Sequence, residues 1–328
     1  MKRIIRNLLL GASVVAGVGG LSNHAALAGS ITGATLGGTA PYILYDATST
    51  YTFANPSASL STILTGDSIK PTGNVELFSN SEQSPLSTSN PSQAYTALNN
   101  FLGYNKVTTL SGEIGGKSIV LSSLTATDWF GASTVTSVSQ AISSALSLSN
   151  PVARASALNL AITPLYNTSS LATNWFNTAL STYGVSSNQT LFNKFLLAGG
   201  FQRFSDPNIS YVNQDADGTI RIGLAGHYDA APLLGLTSNP QHPIQASELV
   251  KVTYDNGTPQ YLRSFKATES SLYNREEFLS NGKKTSHSGN YEVTLKGTPP
   301  ASVPEPSVVL GLVAVGSLVA SKRKLQKV

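Results

Sequence analysis

Phe201-Gln-Arg-Phe-Ser-Asp-Pro-Asn-Ile-Ser-Tyr-Val-Asn-Gln-Asp-Ala-Asp-Gly-Thr-Ile-Arg-Ile-Gly-Leu-Ala-Gly-His-Tyr-Asp-Ala230 is the stretch from which the fold is read. Residues 209–212 and 219–224 carry the two-residue alternation of strands, and Asp217-Gly218 between them is a strong turn signal, so a β-hairpin is predicted. Downstream the same signs recur. Residues 249–254 and 260–265 form a second hairpin through Asp255-Asn256-Gly257, a charged helix follows around residues 273–279, and a last strand lies at 291–295.

Immediately upstream the period changes from two to 3.6. Val135, Val138, Ile142 and Ala145 share one helical face. Asn150-Pro151 then starts a second run carrying Val152, Ala155, Leu158 and Ile162, stopped by Thr163-Pro164. Leu171, Trp175, Ala179 and Tyr183 mark a third run ended by Gly184, and Leu191, Phe195 and Ala198 a fourth ended by Gly199-Gly200. Trp175 reads as a core residue of this helical part.

Further upstream, residues 42–45, 51–53, 61–64 and 75–78 are short pieces rich in Tyr, Ile, Thr and Val, separated by Asn55-Pro56, Gly66-Asp67 and Pro71-Thr72-Gly73. They read as strands. Asn90-Pro91, followed by Tyr95, Leu98 and Leu102 and closed by Gly103, predicts one short helix among them. Residues 107–121 return to strand character on both sides of Gly115-Gly116, a hairpin. The fold class is therefore α+β, with β-rich N- and C-terminal parts around a central bundle of short helices. The segments are 29–134 (β-rich), 135–200 (helical), 201–296 (hairpin-rich) and a linker at 297–302.

The 328 residues include no cysteine, which excludes thiol redox chemistry, thiolate metal sites and a cysteine nucleophile. The formal charge of +4 invites a nucleic-acid reading. Yet Lys2, Arg3, Arg6, Lys322, Arg323, Lys324 and Lys327, all at the two ends, are seven of the 21 Lys and Arg, leaving 14 bases against 17 Asp and Glu. The basic balance belongs to the ends, and no nucleic-acid partner is expected.

Those ends have their own grammar. Lys2, Arg3 and Arg6 precede an apolar run over residues 8–21, and Ala26-Leu27-Ala28 supplies the small residues before a cut. This is a secretory signal peptide over residues 1–28, with the bond between Ala28 and Gly29 as the cleavage site of signal peptidase. At the other end Val303-Pro304-Glu305-Pro306 is followed by an apolar run from Val308 to Ala320 and a basic tail of Lys322, Arg323 and Lys324. As a helix the run spans roughly 20 Å, short of a roughly 30 Å hydrocarbon core, so it is a marginal permanent anchor; the basic cluster favours the cytoplasmic side.

Residues 303–328, a Pro-Glu-Pro motif, a short apolar helix and a basic tail in that order, closely resemble the PEP-CTERM sorting signal. The resemblance implies export, a transient stay in the inner membrane, and processing near the motif by an exosortase-type membrane enzyme. Residues 201–230 also resemble a group of cyanobacterial PEP-CTERM proteins with no assigned activity.

Two constellations carry possible chemistry. Asn213, Asp215, Asp217, Gly218 and Ile220 fit positions one, three, five, six and eight of a calcium loop, although position twelve is Leu224 and strands flank it. His227 and Asp229, sharing a face under strand alternation, form a possible acid/base pair, with no Gly-x-Ser-x-Gly or His-Glu-x-x-His beside it. Gly116-Lys117-Ser118 lacks the glycine that a phosphate-binding loop needs five residues earlier. The expectation is an exported cell-surface or matrix protein, non-enzymatic, without a cofactor and associated with exopolysaccharide. The alternatives are a secreted hydrolase using His227 and Asp229, and a calcium-stabilised adhesion module.

Overall fold

The 215–218 turn closes as the sequence predicts, the Gly218 N–H donating to the Asp215 carbonyl at 3.0 Å. Gly218 has φ +87, and a Cβ there would lie 2.6 Å from the Pro299 nitrogen, so glycine is required both by the backbone and by the chain crossing over it.

The computed structural model describes residues 27–78, 91–167 and 169–300. In chain order the N-terminal part holds β1 (Leu27–Ser30), β2 (Thr32–Gly38), β3 (Tyr42–Ala47), β4 (Thr52–Ala54), α1 (Leu60–Ile63), β5 (Gly73–Leu77), α2 (Pro91–Gly103), β6 (Thr108–Ile114) and β7 (Lys117–Ser122). The central part holds α3 (Ala126–Phe130), α4 (Ala132–Leu146), α5 (Pro151–Ala161), α6 (Leu171–Ser181), α7 (Gln189–Leu197) and α8 (Gly200–Arg203). The C-terminal part holds β8 (Asn208–Asp215), β9 (Thr219–Gly226), β10 (Val250–Tyr254), β11 (Gln260–Leu262), β12 (Ala267–Glu269), α9 (Arg275–Asn281) and β13 (Gly289–Lys296). The chain is thus α+β, its helices concentrated between two strand-rich parts.

The two strand-rich parts are interleaved. One antiparallel sheet runs β12-β13-β9-β8-β5-β3-β4, with β1 added to the far end of β8; the other runs β11-β10-β7-β6-β2. Each sheet takes strands from both sides of the helical segment, so the strands of residues 29–134 and 201–296 fold as one β body, while α2, α3 and residues 201–204 join the helical core. Ile209, Val212, Ile222 and Val293 of the first sheet share a core with Leu110, Ile119, Leu121 and Val252 of the second. The predicted hairpin β6–β7 turns through Gly115 and Gly116, at φ +59 and +74, the pair of left-handed residues that a type I′ turn requires.

A second core fills the helical part. Trp129, Trp175, Phe176, Phe192, Phe195, Phe201 and Phe204 are buried together, and Trp175 is fully buried as expected. Its ring lies 4.5 Å from that of Phe204 and 5.7 Å from that of Trp129. The helix starts follow their caps. Asn150 accepts from the backbone N–H groups of Val152 and Ala153 ahead of Pro151, Ser170 from that of Thr173, and Asn188 from that of Leu191.

Residues 61–64, read above as a strand, belong instead to α1 and its end. Ile63 and Leu64 are adjacent and both fully buried, which the opposite-facing side chains of a strand cannot achieve against one core, whereas neighbours on a helical turn can. Among the described residues no helix is long and apolar enough to cross a membrane. The signal peptide up to Ala26, Val303, Pro304, Glu305, Pro306, the run from Val308 to Ala320 and the Lys322, Arg323, Lys324 tail lie outside the described residues.

Candidate functional site

On β5 the pleat sends Val75 and Leu77 into the core between the sheets and Asn74 and Glu76 to the opposite face. That face is covered by α9 and the chain leading into β13. Between this cover and the sheet lies a cavity of about 420 Å³. Its floor is Tyr45 of β3, Glu76 of β5 and Asn208, the cross-strand partner of Glu76. Arg203 and Asp206 enter from the end of α8, His227 from the end of β9, Glu248 from just before β10, and Glu276, Glu277 and His287 from the cover.

The polar groups of the floor are locked pairwise. Tyr45 Oη donates to Glu76 Oε2 at 3.1 Å, and Glu248 Oε2 accepts from the Asn208 backbone N–H at 3.0 Å and from its Nδ2 at 3.3 Å. Burial, reinforced by the negative charges of Glu76 and Asp206, holds the Glu248 carboxyl well above the usual carboxylate range. Glu277 is occupied by the backbone N–H groups of Thr285 and Ser286, and Glu276 Oε1 by Arg275 at 3.0 Å.

The two histidines are held neutral. Burial lowers His227, with Arg203 and Lys283 pushing the same way against Glu277 and Asp229. Burial and the neighbouring His227 push His287 down to about 3. His287 Nδ1 accepts from Asn74 Nδ2 at 3.2 Å and lies 2.7 Å from Thr52 Oγ1; because an amide nitrogen can only donate, the ring proton sits on Nε2.

Four groups lining the cavity lack partners among the described residues. Arg203 makes no side-chain hydrogen bond or ion pair among the described residues, and burial lowers its pKa. Asn208, 5% exposed, keeps an unpartnered Oδ1, and Glu276 an unpartnered Oε2. The His227 ring nitrogens have no hydrogen bond among the described residues. Another hollow of about 540 Å³, between α4 and α5, is lined by Val138, Ala141, Leu148, Leu160 and their neighbours and carries no titratable group.

The sequence-derived candidates fall in several places. Of the expected acid/base pair, His227 lines the cavity, but β9 stops at Gly226, so strand alternation does not extend to Asp229. Its carboxylate binds the backbone N–H groups of Ala231 and Ile244 and the Ser238 hydroxyl, shaping the loop after β9. The expected calcium residues have separate tasks. Asn213 accepts from Ser30 Oγ and donates to the Gly66 carbonyl. Asp215 is paired with Arg221 at 2.8 Å, and Asp217 caps Thr219 and meets Lys296. Among the described residues no group of three or more His, Asp or Glu is placed to hold a metal. Ala28 and Gly29 lie within β1, where Gly29 pairs with Gln214.

Glu76, Arg203, Asn208 and Glu248 were not singled out from the sequence. The alternation of Asn74-Val-Glu-Leu77 places Glu76 off the core face, but its cover comes from a helix about 200 residues away. Comparison with protein-family models, with curated proteins and with solved structures returns no match to this chain.

Proposed function

We propose that the chain is an exported component of the cell envelope or surrounding matrix, sorted through its C-terminus by an exosortase-type enzyme and associated non-enzymatically with exopolysaccharide. The observation that carries this reading is the closure of the body inside its own ends. Among the described residues both cores draw only on side chains between Ile31 and Leu295. Thr298 ties the chain down, its carbonyl accepting from Gln214 at 2.9 Å and its N–H donating to Tyr254 Oη at 3.1 Å. A cut between Ala28 and Gly29 takes only the Leu27–Asp215 pair from β1, and one near Pro306 falls beyond Thr298, so trimming at both ends leaves both cores whole. Fractionating the producing cells and sequencing both mature termini tests the reading. Material outside the inner membrane, starting near Gly29 and cut near the Val303-Pro304-Glu305-Pro306 motif, is expected; full-length chain in the soluble cell interior overturns it.

A secreted hydrolase is the second reading, favoured by one observation: a neutral imidazole at His227 and the proton-retaining carboxyl of Glu248 line the same cavity. In that case Asp229 orders the loop, and the acid is Glu248. Hydrolysis of polysaccharide that disappears in both His227→Ala and Glu248→Gln supports it, and activity unchanged in both excludes it.

A further inference from the structure

We infer that the cavity between α9 and the β3-β5-β8 face binds one uncharged, hydroxyl-rich sugar residue and discriminates against acidic sugars. The inference deepens the polysaccharide association proposed above and rests on it. The cavity, at about 420 Å³, falls within the roughly 300–1,000 Å³ of small-ligand pockets.

The unmet hydrogen-bonding demand in it is of both signs. Among the described residues Arg203 presents guanidinium N–H donors with no acceptor, while Asn208 Oδ1 and Glu276 Oε2 are acceptors with no donor. Leaving the two buried oxygens unpaired costs about 1–3 kcal/mol each, and with the half-buried Arg203 guanidinium beside them the site suits something that supplies both kinds of partner. A simple cation would meet Asn208 and Glu276 and leave Arg203 facing a like charge. A simple anion would meet Arg203 but enter beside Glu76, Asp206, Glu276 and Glu277. A hydroxyl donates and accepts at once, and adjacent ring hydroxyls offer this without net charge. The carboxylates have firm positions, set by Tyr45 on Glu76, by the Thr285 and Ser286 amides on Glu277 and by Arg275 on Glu276, so they need not reorganise to accept hydroxyl protons.

The test is calorimetric titration of the full chain with the methyl glycosides of glucose, galactose and mannose, and with glucuronate and galacturonate. Saturable binding of at least one neutral glycoside is expected, at least about tenfold tighter than either uronate. Arg203→Met should weaken that binding at least about tenfold without lowering the melting temperature, since no partner among the described residues is lost; Arg203→Lys should recover part of it. Uronates binding as tightly as neutral sugars, or neutral binding unaffected by Arg203→Met, overturns this inference and leaves polysaccharide association standing. No binding of any of the five likewise overturns this inference, while the fractionation above decides the reading it rests on.

Discussion

The backbone N–H of Asn208 donates to the Glu248 carboxylate at 3.0 Å, so the first residue of β8 is fastened to the segment that leads into β10. The bond ties β8 to the chain entering β10 at the cavity and fixes a carboxyl whose burial holds its pKa well above the usual range.

Glu248 makes stability fall with rising pH. Its folded-state pKa is raised above the ordinary 4.5, so the folded chain retains a proton that the unfolded chain releases, and stability declines from about pH 4.5 upward through the folded value. Glu248→Gln keeps an acceptor for Asn208 and abolishes the titration. Melting temperatures at about pH 5 and pH 8 should diverge, wild type losing more than the variant; parallel pH profiles would show that Glu248 does not titrate this way.

His287 acts at the acid side. Held down to about 3 against 6.5, it leaves the folded chain with fewer protons than the unfolded chain between those values, so its contribution is lost as pH falls. His287→Asn suits the left-handed backbone at φ +62 and removes this component. The variant should lose about 1–3 kcal/mol at neutral pH, where Thr52 and Asn74 lose their acceptor, yet show a shallower decline toward about pH 4. Denaturant titrations at several pH values read both effects.

The two tryptophans should respond differently to the same change. Trp129 Nε1 donates to Ser205 Oγ at 2.7 Å, whereas the buried Nε1 of Trp175 has no partner among the described residues. Trp175→Phe should therefore cost less than Trp129→Phe, while Trp175→Ala should cost roughly 3–5 kcal/mol through the cavity it leaves. Urea midpoints rank the three, and a reversed order of the Phe variants contradicts the hydrogen-bond assignment.

Arg221 of β9 bridges Asp215 of β8 and Glu292 of β13, and Glu292 also accepts from Tyr211 Oη at 2.9 Å. Arg221→Met leaves the almost fully buried Asp215 uncompensated and should cost about 3–5 kcal/mol. Adding Asp215→Asn in that background should restore part of the loss. A double-variant midpoint no higher than that of Arg221→Met would mean the charge pairing is not the source.

The sequence by itself determined the local units: the β8–β9 and β6–β7 turns, the four central helices with the Asn150 start of the second, and Trp175 as core. These rest on contacts within a few residues, where turn geometry, capping and side-chain period decide the outcome. The short α3 passed unnoticed although Asp128 reaches back to the Thr125 N–H at 2.9 Å, because five residues show too little periodicity. Only the tertiary structure decided that β5 pairs with β8, that strands from both flanks share two sheets, and that Glu76, Arg203, Asn208 and Glu248 meet under α9. The reason is physical: which strands become neighbours depends on fitting both cores at once. A carboxylate such as Glu76, outward-facing by the pleat of its strand, becomes part of a site only when a distant helix closes over it.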